Sequence, residues 1–220
     1  MSPLDNAANF FDGFADKFDT LYGGKRNWLM RWLDSKFRSD IYVRFEMTFE
    51  LLHDFDGKSV IDIGCGSGPY ITEAIKRGAS HVIGMDPAKK MLDLAKDRVN
   101  QLGMSNRVSF IESYFPTNVA IEKSDFAIVM GVMDYIEDAI SFLRSLKEVF
   151  SEKAVISFPS RHWFRTPLRQ IRYKLRRCPV FFYHLPEIEQ LIFEAGFRKF
   201  DIRKIPGAGM DYVVCLNTLQ

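Results

Sequence analysis

At 220 residues the chain has the length of one domain with a decorated end, and enough material to bury a substantial core. Its 30 basic and 28 acidic side chains leave a formal net charge of +2, which carries no chain-wide nucleic-acid signature. No stretch reads as a signal peptide or reaches the apolar length of a membrane span. The three cysteines, Cys65, Cys178 and Cys215, lack metal-ligand spacing, so the expectation is a cytoplasmic protein without a bound metal.

Residues 1–52 read as a helical cap. Phe10, Phe14 and Phe18 recur every four residues beside Phe11, Leu21 and Tyr22, giving one aromatic face that must pack on something. Gly23-Gly24 breaks that segment. One or two further helices carry Trp28, Leu29, Trp32, Leu33 and Phe37, then Phe45, Phe49 and Leu52. Most such aromatics serve simply as core.

The next stretch, Ser59-Val60-Ile61-Asp62-Ile63, is too short for a helix and β-branched enough for a buried strand. Gly64, Gly66 and Gly68 follow, where missing Cβ atoms let the backbone turn sharply and let a ligand lie against the peptide groups. Pro69 suits a first helical turn, and the helix runs through Ile71, Ala74 and Ile75 to Gly78. Strand, glycine turn and helix make a small-ligand site whose helix N-terminus favours an anion. The spacing is GxGxG rather than the dinucleotide GxGxxG. A second apolar run, His81 to Asp86, ends in an acid 22 residues after Gly64, placed to accept both hydroxyls of a ribose.

A helix with Met91, Ala95, Val99 and Leu102 stops at Gly103. Strands are expected near 108–111, 126–130 and 154–158, with a strongly periodic helix between the last two carrying Ala139, Phe142, Leu143, Leu146, Val149 and Phe150. From Glu152 to Glu187 no acid intervenes, while Arg169, Arg172 and Arg176 share one face of a helix opened by Thr166-Pro167. With Trp163, Phe164, Phe181 and Phe182 nearby, residues 159–185 suggest a basic aromatic lid for an apolar or anionic acceptor, or a peripheral membrane contact. An ordinary solvated basic face is the plain alternative. A helix over 186–195 and strands near 199–202 and 212–216 close the chain. The alternation predicts an α/β, doubly wound sheet with helices on both faces, occupying residues 53–220.

VIDIGCGSG followed by GMDPAKKML resembles the class I S-adenosylmethionine (SAM) dependent methyltransferases in sequence, order and spacing. The resemblance implies a Rossmann-like seven-stranded sheet, SAM as cofactor and an N-terminal cap that closes over it. FDGFADKFDTLY is similar to the family's usual opening, which makes Tyr22 a candidate lid residue near the sulfonium. The turn from Gly64 through Cys65, Gly66 and Gly68 would approach the methionine part. Asp62 would orient that turn or meet the amino group through a water. Asp86 would hold the ribose, Met85 or Pro87 would flank the adenine, and Met130 would complete the cofactor contacts. Where relatives carry an acid that reads the adenine amino group, this chain has Ser113 and Tyr114 after Glu112, so a backbone carbonyl with Ser113 is the substitute.

After the fourth strand, Asp134 and Tyr135 replace a histidine pair common in relatives, leaving a carboxylate or a phenol as any base from that loop. The other reading of Asp134 is a helix N-cap. His162 and His184 are further base candidates for an oxygen acceptor. The wider chain, including VMDYIED and FYHLPEIEQLIFEAGF, looks like the small-molecule branch with the magnesium-protoporphyrin O-methyltransferases and quinone-pathway methyltransferases. The expected activity is therefore methyl transfer to a small molecule, at oxygen. Action on protein or nucleic acid and a non-catalytic partner role are the alternatives. The near-balanced charge and the missing (Asp/Asn/Ser)-Pro-Pro-Tyr motif argue against nucleic acid.

Overall fold

A computed structural model describes residues 41–160, 180–206 and 211–218. Helix α1 (41–51) precedes an alternating series. In order come β1 (Ser59–Ile63), α2 (Pro69–Lys76), β2 (His81–Asp86), α3 (Lys89–Gln101), β3 (Val108–Glu112) and β4 (Ser124–Val129). Then follow α4 (Ala139–Val149), β5 (Phe150–Phe158), α5 (Leu185–Glu194), β6 (Lys199–Lys204) and β7 (Tyr212–Asn217). The strands form one seven-stranded sheet in the order β3-β2-β1-β4-β5-β7-β6.

Alternation within each strand feeds two apolar layers. Ile61, Ile63, Ala127, Val129, Ala154 and Ile156 face the layer closed by Phe142, Leu146, Ile188 and Ile192 of α4 and α5. Val60, Phe126, Ile128 and Val155 face the other, which contains Phe49 and Leu52 near α1, Ile71 and Ile75 of α2, and Leu92 and Val99 of α3. Period-two strands between period-3.6 helices yield the doubly wound sandwich expected from the sequence.

The parallel strands run from β3 to β5, and β7 pairs antiparallel with both β5 and β6. The reversed strand, which the spacing left open, is therefore β7. The strand order changes direction between β1 and β4, opening a crevice at their carboxyl ends.

Three local expectations are corrected. Phe150 continues the apolar period of α4, yet it has extended backbone, pairs with Ser124 and stacks on Phe197 at 6.1 Å, so β5 starts there rather than at Ala154. Strand β3 extends to Glu112, which pairs with Asp86. Asp134 caps no long helix: it is buried in a 3-10 turn, Met133–Tyr135, while Asp138 caps α4 by accepting Ser141 N–H at 3.0 Å. Tyr22, His162 and the Arg169/Arg172/Arg176 helix lie outside the described residues.

At the opposite end of the sheet from the crevice, β1 and β4 are tied by a reciprocal lock. Asp125 Oδ2 accepts Ser59 N–H at 2.8 Å and the Ser59 hydroxyl at 2.9 Å, and Ser59 Oγ accepts Asp125 N–H at 2.9 Å. Burial alone would raise the Asp125 carboxyl, but the Ser59 donors outweigh it and hold the group below the usual carboxylate range. Asp125→Ala should destabilise the fold by about 1–3 kcal/mol in urea denaturation at neutral pH. Because the folded-state value is lowered, the parent's advantage should be present above the ordinary carboxylate range and fade as pH falls through the folded value.

Candidate functional site

The β1 strand delivers the chain into the glycine turn, and the end of β2 holds that turn in place. Met85 O accepts Gly64 N–H at 2.8 Å and Cys65 N–H at 3.0 Å. Asp86 Oδ2 accepts Gly66 N–H at 2.9 Å, and its Oδ1 accepts Ala88 N–H at 2.8 Å. Gly64, Gly66 and Gly68 all have positive φ, the last at 76° as the residue before Pro69 and α2. A side chain at Gly64 would clash with Val132 Cγ2, so this glycine allows the β4 loop to close against the turn. A Cβ at Gly66 would meet no protein atom within 4 Å; the turn presents an open face there.

Behind the turn lies a buried acidic pair. Asp62 is 1% and Asp86 8% exposed. Burial first, and the Asp86 charge second, push the Asp62 carboxyl well above its ordinary value. The same burial, with both carboxylates behind it, raises the Cys65 thiol, which stays protonated and unreactive. Among the described residues, Asp62 Oδ2 and Ser67 Oγ are buried without a hydrogen-bond partner. An open backbone cradle beside unmet polar atoms fits a ligand carrying its own donors and a positive charge, as the amino-acid part of SAM does. Each Asp86 oxygen thus accepts a backbone donor, and a carboxylate has about four acceptor sites in all.

On the β2–β3 side Met85 is buried and Pro87 half-buried. Ser113 Oγ donates to Tyr114 O at 3.1 Å and shares a hydrogen bond with Thr117 Oγ1 at 2.9 Å, so this hydroxyl is already engaged within its own loop. Met130, buried, leads from β4 into Gly131, whose N–H donates to Ser157 Oγ at 2.8 Å. Asp134 is buried and Tyr135 half-buried on the turn that follows.

The segment returning toward α5 is fastened to that turn. Phe181 N–H donates to Asp134 O and Tyr183 N–H to Pro159 O, each at 2.9 Å. The Tyr183 hydroxyl lies 3.3 Å from Ile136 O, and burial together with nearby Asp134 pushes its pKa up to about 12. His184 stands exposed as the N-cap of α5, its backbone N–H donating to Glu187 Oε2 at 2.7 Å.

Sequence reasoning passed over three contributors: Val132 against Gly64, Ser67 beneath the turn, and Arg44 of α1, whose Nη1 would lie 3.8 Å from a Cβ on Gly131. Only contacts distant in sequence single them out. Among the described residues no group of His, Cys, Asp and Glu is arranged to hold a metal, and no helix is long and apolar enough to cross a membrane.

Residues 60–153 match the family described as a methyltransferase domain. That stretch, 94 of the 220 residues, carries the methyltransferase-domain signature. A ubiquinone biosynthesis O-methyltransferase of Actinobacillus pleuropneumoniae is 29% identical over 106 residues, covering 46% of this chain and 45% of that protein. A tRNA U34 carboxymethyltransferase of Alteromonas mediterranea is 28% identical over 120 residues, covering 53% of this chain and 36% of that protein. The chain thus spans less than half the length of these curated relatives. The crystal structure of magnesium protoporphyrin IX methyltransferase from Synechocystis PCC 6803 with bound S-adenosylhomocysteine superposes with a TM-score of 0.73 at 19% identity, covering 99% of this chain and 100% of that one. At that identity the likeness is one of fold.

Two outcomes test the site. Gly66→Ala meets open space, so the variant should fold with a loss of about 1 kcal/mol for its left-handed backbone, yet bind SAM markedly more weakly in calorimetric titration. Because burial raises the folded-state value of Asp62, the native state binds a proton more tightly than the unfolded chain does, so stability falls as pH rises from the ordinary carboxylate range of about 4 toward the folded value. Asp62→Asn removes that slope, and urea denaturation should show the ligand-free parent losing ground to the variant as pH rises above the ordinary carboxylate range.

Proposed function

We propose that this protein transfers the methyl group of SAM to a small-molecule acceptor at oxygen. The observation that carries the reading is the joining of the two halves of the crevice. The open glycine turn abuts Val132, and two residues further along, the Asp134 carbonyl anchors the segment that returns from the candidate lid. Cofactor and acceptor sides are thereby built on one short loop, with Phe181, Phe182 and Tyr183 supplying an aromatic flank suited to a compact, apolar acceptor.

SAM supplies an activated methyl on a sulfonium, so the transfer is an in-line displacement that needs alignment and a dry pocket more than a strong base. In this chain the glycine-turn backbone and Asp62 would hold the amino-acid part and Asp86 the ribose, with Met85, Pro87 and the Ser113-Tyr114 loop beside the base. Asp134 and Tyr135 are the proton-accepting groups the β4 loop can offer an acceptor hydroxyl, and His184 lies at the start of α5. Tyr22 and His162 keep their proposed parts as lid residue and base. The aromatic flank and basic stretch favour an acceptor that is apolar or anionic, handled in the cytoplasm or at a membrane surface touched by the Arg169/Arg172/Arg176 helix.

Relatives named for quinone and for tRNA substrates both match this domain, so the test must separate them. Calorimetric titration should show SAM and S-adenosylhomocysteine binding and no response to NAD. Methyl transfer from labelled SAM should then appear with phenolic or carboxylic metabolites and not with bulk tRNA or a protein extract. Transfer to tRNA that weakens steeply with salt would replace the small-molecule reading. Absence of adenosyl-ligand binding in a folded protein would remove the enzymatic one.

A further inference from the structure

We infer that Ser160 is a specificity-determining residue of the acceptor site, its hydroxyl hydrogen-bonding a second oxygen of a phenolic acceptor, remote from the oxygen that receives the methyl. This deepens the function proposed above and rests on its small-molecule reading.

Ser160 lies just past Phe158, at the crevice end of β5. Its backbone is fixed from two sides. The Ser160 N–H donates to Asp211 Oδ1 at 3.1 Å, and the residue bridges to Tyr183, whose own N–H donates to Pro159 O at 2.9 Å. Residues paired across a bridge project to the same face, so the Ser160 side chain leaves on the side of Tyr183. On that face the Tyr183 ring meets Phe158 at 5.4 Å, and its hydroxyl reaches Ile136 O at 3.3 Å, next to the 3-10 turn that carries Asp134 and Tyr135. Ser160 thus shares a face with the loop proposed to offer the proton acceptor.

Several polar groups around it are already paired. Gly131 N–H donates to Ser157 Oγ at 2.8 Å and Phe181 N–H to Asp134 O at 2.9 Å. Ser160 Oγ differs: it is buried, in a residue 8% exposed, and has no hydrogen-bond partner among the described residues. A buried hydroxyl left unmet costs the folded state its hydration, so its retention calls for a partner that completes it. The position of β5 says which end of a ligand that partner belongs to. Two strand spacings separate β5 from β1, the strand that leads into the glycine turn, which is roughly 10 Å. A group that far along the wall matches the far end of an acceptor better than the oxygen aligned with the sulfonium. The buried rings of Phe182 and Tyr183 suit an aromatic ring between the two oxygens. A serine hydroxyl both donates and accepts, so the distal group is a hydroxyl, carbonyl or carboxylate.

The test measures labelled methyl transfer from SAM to phenol, hydroquinone, 4-hydroxybenzoate and 4-hydroxycinnamate, in which a second oxygen is absent or stands progressively further from the hydroxyl. The parent is compared with Ser160→Ala and Ser160→Thr, and ligand-free thermal melts accompany the kinetics. The parent should favour one of the three longer acceptors over phenol by on the order of tenfold or more in kcat/KM. Ser160→Ala should erase that preference while methylating phenol at the parent's rate, and Ser160→Thr, which keeps a hydroxyl, should retain it. Because Ser160→Ala removes an unmet buried hydroxyl, its melting temperature should equal or exceed the parent's. A lower melting temperature for Ser160→Ala means a hydroxyl already satisfied by the fold or by water, and overturns the inference. A preference that survives Ser160→Ala, or equal losses on all four acceptors, overturns it as well and leaves the small-molecule reading standing. Absence of turnover on all four by a SAM-binding parent overturns the phenolic acceptor class itself, and the inference with it.

Discussion

The arrangement depends on the way β2 grips the glycine turn of β1. A run of left-handed glycines is entropically loose, and it would wander without external partners. The Met85 carbonyl and the Asp86 carboxylate supply those partners by accepting the N–H groups of Gly64, Cys65 and Gly66. A parallel pair of strands thus ends in a fixed backbone surface before any ligand arrives. Preorganisation of this kind matters for methyl transfer, where alignment rather than acid–base strength governs the rate. It also gives Asp86 a second task, since the same carboxylate proposed to read hydroxyls shapes the turn beside them.

The opposite wall is organised by hydrogen bonds between segments remote in sequence. Asp134 lies on the 3-10 turn after β4, Phe181 and Tyr183 lie on the return toward α5, and Ser160 at the end of β5 donates to Asp211 before β7. A bridge between Ser160 and Tyr183 brings the two ends of the intervening segment together. Whatever residues 161–179 do, their point of departure and their point of return are adjacent and sit beside the β4 loop.

The sheet and the ligand end of β1 were legible because they rest on local rules. Ser59 to Ile63 is β-branched and short, three glycines follow at fixed spacing, and an acid closes the next strand; each feature acts within a few residues. Phe150 misled because apolar period alone cannot distinguish the last position of a helix from the first of a buried strand, and its pairing with Ser124 decided the matter. Asp134 misled for a similar reason: an acid before a helix is a fair cap, but Asp138 stands closer and took the role. Arg44, Val132 and Ser67 left no local signal. Arg44 resembles any polar residue on an aromatic helix until Gly131 is brought beneath it, and no spacing rule connects residues on α1 with the end of β4.

The placement of β7 between β5 and β6 has a consequence for the order in which the chain matures. During synthesis β5 and β6 are both complete before the strand that separates them exists, and β5 ends 54 residues ahead of Tyr212. Until residues 212–217 have emerged, β5 presents an open edge rich in apolar side chains, the kind of edge that pairs with a neighbouring chain or with the wrong strand. The nascent protein can assemble the β1–β4 crevice early but cannot seal its sheet until β7 has emerged. A ribosome stalled within the β6–β7 turn would therefore display a finished ligand turn on an unfinished and adhesive scaffold.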